Sequence, residues 1–382
     1  MKIGYDAKRF FHNATGLGNY SRSLIEVLSR FYPENEYLLY NPKKSKKYDL
    51  DTYPKIVIEK TPLGFLYNKF KSLWRLVFIT NQIKKDKLNI YHGLSGEIPL
   101  FLSKNCKKVV TIHDLIFIRY PELYTFFDKK IHEWKFKYAA NNSDIIVAIS
   151  EQTKKDLIDF FGINPDKIKV IYQGCNAVFK ETYSKQEKTE VIKKYNLPKD
   201  FILNVGTIEK RKNALTIVKA IKNTSIPLVL IGKKTKYYSE IETFIEENKM
   251  NGQVLCLKGL TIKELAILYQ AATLFIYPSI FEGFGIPIIE ALYSGTPVIS
   301  STGGCFSEAG GASTIYINPE DDVALYAEIL KLWNNEDTRN EISQKGKEFA
   351  RQFNDEIIAH HWQMLYKSIL KERKYNKSKK VK

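Results

Sequence analysis

The sequence predicts an α/β protein built from two doubly wound parallel sheets in tandem. Three observations carry this prediction. Short runs rich in Val and Ile alternate with longer amphipathic stretches along the chain, as in parallel strands covered on both faces by the helices between them. The pattern pauses in a polar stretch at 175–200 and then restarts. With 382 residues, 44% of them hydrophobic, the chain has apolar material for two cores rather than one.

In the first half the strands are KIGYD (2–6), EYLLY (36–40), KIVIE (55–59), NIYHG (89–93), KVVTIHD (107–113), DIIVAIS (144–150) and KIKVIYQG (167–174). Helical stretches fall at 19–31, 65–86, 126–142 and 151–161. The second half gives FILNVG (201–206), PLVLIG (227–232), QVLCLKG (253–259), LFIYPS (274–279) and PVISS (297–301), with helices near 212–223, 239–249, 261–272 and 286–294. This sets a first domain at 1–174, a linker with one short helix at 175–200 and a second domain at 201–354. The helix at about 355–372 need not stay with the second domain and is a candidate to pack back on the first. The segment 371–382, KERKYNKSKKVK, reads as a frayed basic tail. Ligands are expected in a cleft between the carboxyl ends of the two sheets, where loops and helix N-termini converge.

Composition narrows the function classes. The 59 Lys and Arg against 42 Asp and Glu leave a net charge of +17, which favours an anionic partner: a phosphate-bearing substrate, an anionic membrane or a nucleic acid. The 22 Phe and 24 Tyr exclude intrinsic disorder. No run reaches the roughly 18 to 20 apolar residues of a membrane-spanning helix. The N-terminus, MKIGYDAKRF, lacks a signal-peptide pattern, so a cytoplasmic location is expected. Cys106, Cys175, Cys256 and Cys305 are too widely spaced for a disulfide framework or a paired zinc site and read as small core residues.

The strongest motif is SIFEGFGIPIIEALYSGTPVIS (279–300). A strand ends near Ser279, a loop holds Glu282, Gly283, Phe284 and Gly285, and a helix opens at Ile286 with Pro287 in its first turn. The glycines permit close approach to the backbone, and the free N–H groups of the helix start suit an anion. Glu282 and Glu290, with seven residues between them, can each accept paired hydroxyl hydrogen bonds from a sugar diol. Either could instead complement the positive end of the helix, although Glu290 lies beyond the first turn, where that effect fades.

Three further motifs sit at strand ends. In LNVGTIEKRKNALTIVKAI (203–221), Lys210, Arg211 and Lys212 cluster at a strand-to-helix turn, a diphosphate site or else solvated surface. In VVTIHDLIF (109–117), His113 and Asp114 close an apolar strand; a histidine there also serves as a structural hydrogen-bonder. In NATGLGNYSRSLIEVL (13–28), Gly16 and Gly18 precede a helix, but Ser21 stands where a dinucleotide fingerprint has its third glycine, which argues against a nicotinamide enzyme.

On these motifs the chain resembles the retaining glycosyltransferases of the GT-B fold, family-4 type, over nearly its whole length. The resemblance implies two Rossmann-like domains. It implies that Glu282 contacts the transferred sugar, Glu290 holds the nucleotide ribose, Arg211 and Lys212 bind the donor diphosphate, and His113 lies beside the sugar. Gly16 and Gly18 would face the donor phosphates and the acceptor, and the start of the helix at Gly283–Gly285 would assist the leaving diphosphate. Segments 231–241 and 257–272 would line the base pocket through main-chain groups near Gly259 and Leu260. The family's usual arginine directly after the glycine is replaced here by Thr207. The partners implied are a nucleotide diphosphate sugar as co-substrate and a glycan or lipid-linked glycan acceptor, with no further cofactor, no metal and no nucleic acid. The triplet Asp49-Leu50-Asp51, which metal-dependent enzymes of another fold use, sits in a polar connector and reads as chance. IHDLIFIRYPELY and AISEQTKKDL are most similar to mannosyltransferases of surface-polysaccharide (lipopolysaccharide) assembly, which favours GDP-mannose.

Segment 61–89 mixes Phe65, Leu66, Phe70, Trp74, Leu76 and Phe78 with Lys69, Lys71, Arg75, Lys84, Lys85 and Lys87. It suits either peripheral binding to an anionic membrane, helped by Lys43, Lys44, Lys46 and Lys47, or a core helix with a basic edge. Two rival functions share the sequence features: a sugar-nucleotide epimerase of the same fold, and a basic protein binding nucleic acid or anionic glycan. The latter lacks a visible recognition module and leaves the two glutamates without a purpose.

Overall fold

The computed structural model describes residues 1–45, 47–62 and 73–379. They form two compact units, Met1–Gln173 together with Asn354–Lys382, and Gly174–Phe353.

The first unit is a seven-stranded sheet of β1 (Lys2–Asp6), β2 (Glu36–Tyr40), β3 (Val57–Lys60), β4 (Ile90–Gly93), β5 (Lys107–Ile112), β6 (Ile145–Ala148) and β7 (Ile168–Val170). The order is β3-β2-β1-β4-β5-β6-β7, and every pair is parallel. The chain therefore moves to one side of β1, then crosses back to continue on the other, and the connections reverse between β1 and β4. Alternating residues explain why both faces bury. Ile3, Tyr5, Val109 and Val147 pack under Leu24, Ile25 and Leu28 of the helix Gly16–Phe31. Val110, Ile112, Ile146 and Ala148 pack on the other face against Ala139, Ala140 and Leu157.

Local signals set the helix ends. In the helix Glu151–Phe161, Ser150 Oγ accepts the Thr153 N–H at 3.0 Å, and Gly162 closes it with φ +64°. The helix Asp355–Lys379 returns to the first unit, where Ile358, Trp362, Tyr366 and Ile369 enter the core beside β1 and β4. A buried polar chain pins it there. Tyr366 Oη lies 2.8 Å from His92 Nδ1, and His92 Nε2 lies 2.8 Å from Thr111 Oγ1. Burial pushes the His92 pKa down to about 3, so the ring is neutral and can act as donor at one nitrogen and acceptor at the other.

The second unit is a six-stranded parallel sheet of β8 (Ile202–Val205), β9 (Leu228–Ile231), β10 (Val254–Leu257), β11 (Leu274–Tyr277), β12 (Val298–Ser301) and β13 (Ile315–Ile317), in the order β10-β9-β8-β11-β12-β13. The strand β13 is absent from the sequence reading because only three residues of STIYINP pair. The stretch 175–200 is more than a linker. Its helix Lys185–Lys194, capped reciprocally by Ser184 and Glu187, packs on the helix Ile262–Ala271. Phe179 is buried edge-on against Tyr269, with ring centroids 5.5 Å apart. The polar composition hid this because a single side chain of that helix, Val191, is buried.

For the 61–89 segment, Phe65, Leu66, Lys69, Phe70 and Lys71 lie outside the described residues, as does Lys46. The described part turns inward. Trp74, Ile79 and Ile83 are buried with Leu38 and Tyr40, so of the two readings of this segment Trp74 follows the core helix. Large apolar side chains are exposed elsewhere in this unit, including Phe126 (69%), Phe127 (76%), Ile131 (52%) and Trp134 (52%). Among the described residues no helix is long and apolar enough to cross a membrane. Cys106, Cys175 and Cys305 are buried and Cys256 is partly so.

If the final helix is an integral part of the first unit, Trp362→Ala removes about 3–5 kcal/mol of that unit's stability. Denaturant unfolding followed by circular dichroism reads this directly. An unchanged midpoint would show that the helix is not held by its core face.

Candidate active site

In the second unit the connections reverse between β8 and β11, the point at which an open parallel sheet splays and admits ligand. The strand pairing covers Leu274↔Ile202 and Phe275↔Leu203, and Asn204 Nδ2 then donates to Ile276 O at 2.8 Å. The loops leaving the two strands are stitched together above this point. Ile280 N–H donates to Arg211 O at 2.8 Å, which sets the basic turn Lys210–Lys212 beside the loop carrying Glu282.

Glu282 organises this cluster. Its Oε1 lies 2.6 Å from Lys212 Nζ and 2.8 Å from Arg211 Nη1. The same oxygen accepts the hydroxyls of Ser279 at 2.7 Å and Tyr277 at 2.9 Å. Tyr277 Oη in turn accepts from Lys212 Nζ. Arg211 is fixed further by Glu209 Oε1 at 2.6 Å and by Phe281 O at 2.5 Å. Burial alone would raise the Glu282 pKa, but Lys212 and Arg211 outweigh it and hold the carboxyl down to about 2. For Arg211, burial opposes the charge, yet Glu282 and Glu209 drive its pKa upward. Among the described residues the ion pairs and hydrogen bonds of the Glu282 carboxylate fall on Oε1. The cations expected to await a diphosphate are thus already occupied by this carboxylate.

The backbone supports the arrangement. Gly285 has φ +118°, a region that side chains strongly disfavour, and it forms the N-cap of the helix Ile286–Ser294 without a side-chain cap hydrogen bond. Behind Gly283 and Phe284 the Cys305 thiol lies 2.9 Å from Phe284 O. Glu290, one turn on, has a very different environment. The Tyr269 hydroxyl donates to Oε2 at 2.9 Å, and burial raises the Glu290 pKa to about 7. Gly259 and Leu260 line a separate cavity of about 380 Å³ at the carboxyl ends of β9 and β10, with Gly232 and Leu257 among its walls.

His113, Gly16 and Gly18 belong to the first unit. His113 closes β5, with Nε2 2.9 Å from Leu94 O and Nδ1 3.4 Å from Gln173 Nε2. Burial lowers its pKa to about 4, so the ring is neutral, donating to Leu94 and accepting from Gln173. It can orient a substrate by polar contact but is not a resting proton donor. Asp114 Oδ1 accepts the Ile116 N–H at 3.1 Å and caps the following turn. The two glycines differ in what they need. A Cβ at Gly18 would sit 1.8 Å from Asn13 O, whereas one at Gly16 would meet nothing within 4 Å. Gly18 is therefore demanded by packing, and Gly16 faces open space.

Sequence reasoning missed Tyr277 and Ser279, which hold Glu282, Tyr269, which holds Glu290, and Tyr20, whose ring sits edge-on to His113 at 4.6 Å. A polar residue closing an apolar strand, as in IYPS, was the available signal. Among the described residues no three His, Cys, Asp or Glu side chains gather as metal ligands. The Asp49 carboxylate accepts the Asp51 N–H at 3.1 Å in an exposed turn.

Two Rossmann-like units, the second with a carboxylate and two cations at its switch point, define a glycosyltransferase of the GT-B fold. Residues 14–178 match the family model described as Glycosyltransferase Family 4, and 185–349 match Glycosyl transferases group 1. The chain belongs to these glycosyltransferases. It is 26% identical over 378 residues to O-antigen chain mannosyltransferase B of Escherichia coli, covering 92% of this chain and 96% of that protein. The capsular polysaccharide biosynthesis glycosyltransferase CapM of Staphylococcus aureus is 24% identical, covering 92% and 94%. The fold is shared with a glycosyltransferase from Rickettsia africae at TM-score 0.77 and 19% identity, over 97% of this chain and 98% of that one. It is also shared with Anabaena HepE, solved in complex with UDP-glucose, at TM-score 0.75 and 17% identity, over 96% and 100%.

The opposite environments of the two glutamates predict opposite pH behaviour. Glu290 has a folded pKa of about 7 against an ordinary 4.5, so its ionisation disfavours the fold, and stability falls as pH rises through that window. The neutral isostere Glu290→Gln should then be more stable than wild type at pH 8, by up to about 3 kcal/mol, with the gap shrinking at pH 5. Thermal unfolding at both pH values checks this. An equal gap at the two would contradict the assignment.

Proposed function

We propose that this enzyme transfers a mannosyl unit, with retention of anomeric configuration, from a nucleotide diphosphate sugar to a glycan acceptor in surface-polysaccharide assembly. The observation that carries the reading is the Glu282–Arg211–Lys212 cluster at the β8/β11 switch point, beside an uncapped helix start. A leaving nucleoside diphosphate develops negative charge, and preorganised cations with free backbone N–H groups stabilise that charge without reorganising. As the diphosphate arrives, Lys212 and Arg211 turn part of their charge to it. Glu282 keeps the cations fixed and offers Oε2 to a sugar hydroxyl. Glu290 accepts the ribose hydroxyls, the cavity by Gly259 and Leu260 takes the base, and the neutral His113 orients the sugar. In this reading the protein's own cations serve the diphosphate and no metal takes part. The mannosyl assignment is supported by the O-antigen mannosyltransferase relative, and it makes GDP-mannose the first donor to try.

A panel of nucleotide sugars should contain one, GDP-mannose, that stabilises the protein by about 3–4 kcal/mol at 100–1,000 times its dissociation constant. Lys212→Ala should abolish both that stabilisation and sugar transfer while circular dichroism stays unchanged. A preferred UDP-sugar would remove the mannosyl assignment and leave the transferase. Wild-type transfer by Lys212→Ala would remove the site.

A further inference from the structure

The first unit has a switch point of its own, between β1 and β4. A cavity of about 410 Å³ lies there, bounded by Asp6 at the end of β1, Tyr91 in β4 and Glu97 in the loop after it. Lys8, Lys43, Arg75 and Lys135 complete its charged lining. The proposed donor site uses none of these residues.

The inner charges are mutually satisfied. Arg75 directs Nε (2.8 Å) and Nη2 (2.5 Å) at Asp6 Oδ2, and its Nη1 lies 2.8 Å from Glu97 Oε2. Lys135 Nζ pairs with Glu97 Oε1 at 3.4 Å. Two carboxylates thus cancel two cations, and Arg75 is fixed as a rigid floor. The rim is different. Among the described residues neither Lys8 nor Lys43 has a carboxylate partner for its ammonium group. The lining therefore carries four cations against two carboxylates. Burial, followed by repulsion from Arg75 and Arg9, lowers the Lys8 pKa although Glu97 and Asp6 pull it the other way. A surplus of positive charge around a concave site is relieved by an anion. Asp6 and Glu97 leave lone pairs for neighbouring hydroxyls.

We propose that this cavity binds a phosphoryl group of the acceptor, with Lys8 and Lys43 as its ligands, so that the acceptor is a phosphorylated or diphosphate-linked glycan rather than a neutral one. The word acceptor rests on the transferase reading; the anion site does not. The shared chemistry is a phosphoryl group, which can belong to a soluble glycosyl phosphate or to a lipid-linked one.

The test is calorimetric titration of the full-length protein with inorganic pyrophosphate and, separately, geranyl diphosphate. Lys212→Ala removes one donor-side cation and leaves Arg211 paired with Glu282 and Glu209. In that background pyrophosphate should still bind, and adding Lys8→Ala with Lys43→Ala should weaken it about tenfold or more. The milder pair Lys8→Gln and Lys43→Gln repeats the measurement should the alanine pair unfold. Tighter, lysine-dependent binding of geranyl diphosphate assigns the site to a lipid-linked acceptor, and equal binding of both probes assigns it to a soluble one. Pyrophosphate affinity unaffected by the lysine substitutions, or no binding at all once Lys212 is removed, overturns the proposal. Absence of donor-dependent transfer by wild type would refute the transferase reading and leave this titration untouched.

Discussion

The ion pairing of one largely buried carboxylate with two cations organises the second unit. Glu282 lies 2.6 Å from Lys212 and 2.8 Å from Arg211, and all three belong to loops that the β8/β11 reversal brings together. Removing Glu282 leaves Lys212 without its carboxylate and Arg211 with Glu209 alone, and breaking a buried pair in this way commonly costs about 3–5 kcal/mol. That cost bears on mutagenesis. Glu282→Ala disturbs folding as well as chemistry, whereas Glu282→Gln keeps the volume and an acceptor for Ser279. Lys212 is the cleaner probe, because Arg211 retains Glu209 as well as Glu282.

The same constraint explains why a carboxylate stands where a diphosphate is expected to bind. Two adjacent cations in a partly closed loop repel each other and favour an open turn. Glu282, with Tyr277 and Ser279, holds them in place, so in the proposed reading an arriving diphosphate would share cations that are already positioned. Glu290 shows the converse. With burial and one tyrosine hydroxyl as its surroundings, it is poised close to neutral pH, where added hydroxyl donors from a ribose would stabilise its ionised form.

Much of this was legible in the chain, for identifiable reasons. The strand–loop–helix grammar of IYPSIFEGFGIPIIEAL is local: an apolar run, a glycine pair, a proline in the first helical turn. The helix Glu151–Phe161 was legible to the residue because Ser150 and Gly162 mark both ends. What escaped depends on contacts between distant segments. Arg75 meets Asp6 across 69 residues, so no spacing rule exposes the cavity at the β1/β4 reversal. The direction of Trp74 stayed open between two readings because a mixed aromatic and basic segment reads alike on a membrane and on a core. The partners of Glu282 escaped in part because Tyr277 looked like one more apolar strand residue.

Carboxyl-carbon NMR of the Glu282 side chain, followed from neutral to acid pH, tests the central claim most directly. Held by Lys212 and Arg211, the carboxylate should stay ionised until the pH approaches about 2. A midpoint near the ordinary 4.5 would mean that the two cations do not grip it, and the account of the donor site would fall with them.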